Sequence, residues 1–217
     1  MKGWSVEEQA ARVAALLPDY AYVNLGIGMP GSVAAAVQPE QGIVFHCENG
    51  IVGYRALAEG EAPDADVIDA ASSPVALIEG AAVVAHDISF AIARGGRLDA
   101  TVLGAFQVSQ HGDFANWKAP GARIAGVGGA MDLAVGARQV IVMMRHVDRD
   151  GNPKIVEHCT YPLTAARQVN HIVTEQAVIT VTENGLVVGE IAPGITWEEL
   201  QAVTGAPLSV ASAVASS

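Results

Sequence analysis

The chain has 217 residues, 51% of them hydrophobic and 16% charged, with 12 Lys and Arg against 23 Asp and Glu for a net charge of −11. That acidic balance excludes the basic face that nucleic acid needs and disfavours an anionic membrane surface. An anionic small molecule stays open, because helix N-termini and glycine-rich backbone bind phosphate without cationic side chains. The length suits one α/β domain, placed at 1–210, with a frayed tail of small residues at 211–217. Cys47 and Cys159 form no CxxC or metal spacing, no apolar run is long enough to span a bilayer, and Glu7-Glu8 occupy the place of a signal peptide's apolar core. A reducing cytoplasm is expected.

In chain order, Ser5-Val6-Glu7-Glu8 fits a capping box, and Val6, Ala10, Val13, Ala14 and Leu17 then share one helical face up to Pro18. Tyr20 to Asn24 reads as the first strand. Leu25 to Gly31 is a glycine-rich loop, with Pro30 suited to the first turn of a short helix through Val37. Ile43-Val44-Phe45 is a buried strand that ends in the turn His46 to Gly50. Tyr54 to Asp66 reads as surface loop, Val67-Ile68 as a brief strand and Ala81 to His86 as another. A helix from about Ser89 to Arg94 is stopped by Gly95-Gly96.

Ala100 to Gly104 is a buried strand, and Val108 to Gly121 a long polar loop of the kind that carries function. Gly126 to Asp132 is a second glycine-rich turn, opening a helix to about Ala137. Gln139 to Met144 is an apolar strand, and Asp148 to Asn152 a turn. Thr164 to Val173 is expected to be helical. Val178–Thr182 and Leu186–Val188 flank Asn184-Gly185 as a hairpin. Thr196 to Glu199 is a second capping box, for a helix towards Val203.

Three constellations bear chemistry. Gly26, Gly28 and Gly31 match G-x-G-x-x-G after a strand, with Glu48 about 20 residues on, as in a dinucleotide site. Three features weigh against that reading: the helix before Pro39 is short, Pro30 lacks an N–H near the pyrophosphate position, and Asn24 is polar where such a strand is apolar. A tight turn without a ligand is the alternative. Glu48, at a strand end, is open as nucleophile, general base, metal ligand or solvated acid. No His or Asp stands at ligand spacing from it, so no metal is expected. Cys47 reads as a small buried hydrophobe. Gly126 to Asp132 would leave backbone N–H groups free for an anion or oxyanion, or would serve helix packing. The six histidines are scattered and are taken as structural.

Asn24 to Pro30, Glu48-Asn49-Gly50, Gly112 to Trp117, Gly126 to Leu133 and Ile191 to Gly194 occur in an order that resembles the β subunit of the 3-oxoacid CoA-transferases, from about residue 5 to 210. The resemblance implies a three-layer α/β/α fold with a mostly parallel sheet, and an α subunit completing an α2β2 assembly. It implies ping-pong transfer of CoA between an acyl-CoA such as succinyl-CoA and a 3-oxo acid, through a glutamyl-CoA thioester. By this match Glu48 is the nucleophile, Asn24 contacts the reacting carboxylate or carbonyl, and Gly129 N–H is an oxyanion donor. Gly26, Gly28 and Gly128 would approach CoA, a substrate rather than a bound cofactor. Asp69 to Pro74 stands where the family carries Gly-Lys-Glu-Thr, which leaves the acyl group open. A hydrolase or ring-cleaving enzyme on the same fold, and an NAD-dependent oxidoreductase, are the alternatives.

Overall fold

The computed structural model describes residues 2–121 and 126–210. A ten-stranded sheet runs through it. Its five middle strands are parallel, in the order β10 (Val169–Val173), β8 (Gln139–Met143), β5 (Ala100–Leu103), β1 (Tyr22–Leu25) and β2 (Val44–His46). Antiparallel strands extend both ends. β3 (Ile51–Arg55) and β4 (Ala76–Val83) follow β2. β11 (Ala177–Thr182) and β12 (Gly185–Ile191) follow β10, and β13 (Leu208–Val210) closes that edge in parallel.

The parallel strands carry apolar side chains on both faces, as strands covered on both sides do, with Asn24, His46 and Thr101 as buried polar exceptions. On β8, Val140 and Val142 face one core, while Ile141 and Met143 face the other. The second core takes Ala10 and Val13 of α1 (Val6–Leu16). The first takes Ala93 of α2 (His86–Arg94), Leu133 of α3 (Ala130–Gly136) and Leu200 of α4 (Trp197–Ala202). That is the expected α/β/α layering. Each large aliphatic side chain so buried contributes about 1.5–3 kcal/mol. Both capping boxes form: Ser5 Oγ accepts from Glu8 N while Glu8 accepts from Ser5 N, and Thr196 and Glu199 repeat the exchange.

Several expectations are corrected. Thr164 to Val173 is not helical: residues 169–173 are β10, whose β-branched Val169, Ile172 and Val173 are buried. The polar stretch from Val108 contains β6 (Gln107–Ser109) and β7 (Phe114–Ala115), which pair with each other and, through β6, with β9 (Ile155–Val156). Phe114 is wholly buried there. Tyr54 is not in a surface loop but buried in β3 against Phe45, with ring centroids 5.7 Å apart. β4 lies earlier than Ala81–His86, and His86 instead begins α2. Met29–Ala35 is a 3-10 helix, in keeping with Pro30 and the missing side-chain cap at Gly28. Val67-Ile68 contributes only a bridge from Ile68 to Pro74. The tail at 211–217 lies outside the described residues. Among the described residues no helix is long and apolar enough to cross a membrane.

Candidate active site

Glu48 stands at the tip of the turn that joins β2 to β3. Gly50 N donates to the Cys47 carbonyl at 3.0 Å and closes the turn, and Cys47 N donates to Ile51 O. Gly50 has φ +119°, and a Cβ there would meet Val84 O at 2.2 Å, so only glycine fits. Asn49 donates through Nδ2 to Ile68 O at 2.7 Å and fastens the turn to its neighbour. The Glu-Asn-Gly order thus has a mechanical meaning: one residue projects, one anchors and one bends.

The Glu48 carboxylate is half-buried and accepts no hydrogen bond among the described residues. Burial pushes its pKa up, against a weaker lowering by His86. Opposite it lies the second glycine turn. A Cβ placed on Gly129 would be 2.9 Å from Glu48 Oε2 and 2.6 Å from Phe90 Cζ. Gly129 is the N-cap of α3, where backbone N–H groups have no partner within the helix. Phe90 is held from two sides on α2: the His86 ring lies 4.8 Å from it and the Arg94 guanidinium 5.3 Å. Arg94 is itself fixed by Asp132 of α3 at 2.8 and 3.1 Å.

Glu48, Gly128 and Gly129 border two recesses. The first, about 440 Å³, has apolar walls including Ile27, Met29, Leu103 and Met143, and reaches Arg145 and Lys154. The second, about 490 Å³, is lined by His86, Asp87, Phe90, Arg94 and Asp132. Asn116 and Trp117 form part of the wall of the first; Asn116 donates to Gly104 O and Trp117 to Leu163 O. Cys47 faces away: its thiol is buried, accepts from Ala70 N at 3.0 Å and has its pKa raised by burial. No three His, Cys, Asp or Glu side chains cluster as metal ligands among the described residues.

The expected site residues do not all meet. Glu48, Gly128, Gly129 and Gly26 border the apolar-walled cleft. Gly26 does so only as wall: its N–H donates to Val102 O at 2.8 Å, and a Cβ there would lie 3.0 Å from the same oxygen. Gly28 is not among the lining residues; it supplies a φ of +87° before the 3-10 helix. Asn24 is not among the residues that line the cleft. It is fully buried, its Nδ2 faces the His46 carbonyl and Nδ1, each at 3.2 Å, and its Oδ1 accepts from Thr101. The dinucleotide reading falls with the first glycine loop, whose amide is bound to β5 and whose helix is a 3-10 helix of seven residues.

Phe90 and His86 were missed in the sequence. Their signal was present: His86, Phe90 and Arg94 recur every four residues and so share a helix face.

The family model for Coenzyme A transferase matches residues 6–202. The chain is 50% identical over 210 residues to a subunit of the 3-oxoadipate CoA-transferase of Pseudomonas putida, covering 95% of this chain and 97% of that one. It is 42% identical over 204 residues to the probable coenzyme A transferase subunit beta of Bacillus subtilis, covering 94% of each. Among solved structures, the acyl-CoA transferase YdiF apoenzyme of Escherichia coli O157:H7 superposes with a TM-score of 0.74 at 22% identity, over 96% of this chain and 43% of that one, a likeness of fold. With its Glu-Asn-Gly turn set against a glycine-opened helix and its end-to-end match to single subunits of such enzymes, this chain belongs to the coenzyme A transferase family.

Proposed function

We propose that this chain is the β subunit of a two-subunit 3-oxoacid CoA-transferase and that Glu48 is its nucleophile. One observation carries the reading: the Glu48 carboxylate, half-buried and free of hydrogen-bond donors among the described residues, lies against the turn that opens α3 at Gly129. A carboxylate without donors keeps its lone pairs available for attack, and an amide beside it can receive the oxygen that becomes negative.

The chemistry runs in two mirrored halves. Glu48 attacks the acyl-CoA carbonyl, the Gly129 N–H stabilises the oxyanion, and CoA thiolate leaves. The thiolate then attacks the glutamyl carbonyl of the resulting anhydride. The acyl group departs as a carboxylate and Glu48 is left as a thioester. An incoming 3-oxo acid reverses both steps: its carboxylate expels the thiolate, and the thiolate takes the new acyl group and frees Glu48. A carboxylate nucleophile serving carboxylate substrates keeps each half nearly symmetric, so thioester free energy is retained. Both intermediates hydrolyse, so the cleft must exclude water.

The apolar-walled recess suits the pantetheine chain, with Arg145 and Lys154 placed for anionic groups beyond it. The other, with His86 and Arg94, suits the carboxylic acid. The relatives are themselves named as subunits, the Bacillus protein as a beta subunit, which supports an α partner. We infer that this partner covers the cleft in an α2β2 assembly. We expect the enzyme to act in the cytoplasm, with no resident cofactor.

The test is to incubate the αβ complex with acyl-CoA and no acceptor, quench in acid and map the peptides. The Glu48 peptide should gain the mass of CoA less water. Steady loss of acyl-CoA with no adduct would point to hydrolysis, and neither loss nor adduct would remove the nucleophile assignment.

A further inference from the structure

Beneath the Glu48 turn lies a chain of four buried polar side chains. Asn24, Thr101 and Ser89 are 0% exposed and His46 is 1% exposed. They come from β1, β5, α2 and β2 respectively, so the chain crosses from the sheet to the helix layer.

Its direction can be read atom by atom. The Asn24 atom 3.2 Å from the His46 carbonyl must be the nitrogen, since an oxygen there would oppose an oxygen. Asn24 Oδ1 is left to accept from Thr101 Oγ at 3.1 Å, which it does. The same Nδ2 lies 3.2 Å from His46 Nδ1, so Nδ1 must offer a lone pair. The ring proton is then on Nε2, which donates to Ser89 Oγ at 2.9 Å. Ser89 in turn donates its own proton to the Cys47 carbonyl at 3.2 Å.

That carbonyl is where the chain meets the site. It already accepts Gly50 N, the bond that closes the turn carrying Glu48. One lone pair shapes the turn and the other tethers it to α2. The next residue of α2 is Phe90, against which Gly129 packs. Helix α2 therefore holds both halves of the proposed site, the nucleophile through Ser89 and the amide turn through Phe90.

We propose that Ser89, oriented by neutral His46 in its Nε2–H form and by Asn24, is a positioning residue that sets the Glu48 carboxylate against the Gly129 amide. The inference rests on the reading of Glu48 as nucleophile. It makes the relay part of turnover rather than of folding alone. Desolvation, which pushes the His46 pKa down, agrees with a neutral ring. A proton on Nδ1 would face the Asn24 amide hydrogens and break the chain at its second link.

A second buried histidine provides the control. His146 sits between Thr174 and Thr204, at 3.0 and 2.8 Å, and none of the three lines the cleft. Ser89→Ala in the αβ complex should lower kcat about 10- to 100-fold, the scale of a small misplacement of a reacting group. KM for acyl-CoA should stay within about threefold, and adduct formation on Glu48 should slow in parallel. Ser89→Thr, which restores the hydroxyl, should recover much of the rate. Thr204→Val should lower Tm but leave kcat unchanged. If Ser89→Ala kept full kcat, or lost rate only in step with lost folded protein as Thr204→Val would, the proposal would be overturned. Nitrogen-15 spectra of the His46 ring give a readout that does not need activity: a neutral Nε2–H ring supports the relay, and an Nδ1–H ring or an imidazolium ends it. Glu48→Gln, assayed alongside, reports on the nucleophile alone.

Discussion

The two glycine-rich turns look alike in sequence and do different work in space. In the first, Gly26 gives its amide to β5 and is pressed against Val102 and Leu103. In the second, Gly129 lies between Phe90 and the Glu48 carboxylate, where a side chain would displace one or the other. The first turn lets a strand pass close to its neighbour, while the second keeps space clear beside a reactive group. Glycine spacing cannot tell these apart, because both roles need the same missing Cβ. What tells them apart is where the free amides point, and that depends on which strand or helix comes next.

Substitutions should break this comparison in order of size. Glu48→Gln removes the nucleophile and should reduce transfer by about 10⁴-fold or more, measured as acceptor acyl-CoA formed. Gly129→Ala keeps the N–H but sets a Cβ 2.6 Å from Phe90 Cζ and 2.9 Å from Glu48 Oε2, so it should push the amide and the carboxylate out of line and cost about 10²-fold in kcat. Its adduct yield with acyl-CoA alone should fall to match. Gly26→Ala meets backbone at 3.0 Å but no reacting atom. It should show mainly as lower Tm, with stability reduced by about 1–3 kcal/mol and kcat within tenfold of wild type. If Gly26→Ala and Gly129→Ala lost activity equally at matched folding, the two turns would have the same role and the contrast between them would collapse.

Much of the frame was legible from pattern. The apolar runs of β1, β2, β5 and β8 and the two capping boxes are local signals, and each formed where the residues indicated. The turn that carries Glu48 was legible for the same reason: an apolar strand that runs into Asn-Gly marks a bend. Failures came where tertiary contacts overrode local preference. Ala165-Ala166-Arg167-Gln168 favours helix, yet Ala165 bridges Phe114 and Gln168 N bonds Gly112 O. The stretch after Val108 reads as polar loop, yet Asp113 and Asn116 serve internal bonds to Ser109, Arg167 N and Gly104 O. The partners of Asn24 were not legible, because a polar residue in a strand says nothing of what surrounds it. His46, Ser89 and Thr101 are separated by tens of residues and meet only once the sheet is ordered.

The smallest effect expected is one of stability, and it too sets Glu48 apart from an ordinary surface acid. Burial holds its carboxyl above the usual range in the folded chain. The unfolded chain therefore ionises this group first as pH rises past its ordinary value of about 4.3. The stabilisation associated with a neutral Glu48 is complete below that value and is lost as pH climbs through the folded value. Gln at this position has no charge to desolvate. Glu48→Gln should therefore match wild type in Tm near pH 4 and melt slightly higher at neutral pH, the difference opening between the two. Because the group is half-exposed, water screens the cost and the gain should be small. A site that gives up activity and gains stability when its acid is made neutral is one where the fold tolerates an unpaired charge for chemistry. A Glu48→Gln chain that melted lower at neutral pH would mean that the carboxylate is stabilised in place, by His86 or another partner, and is not poised to react.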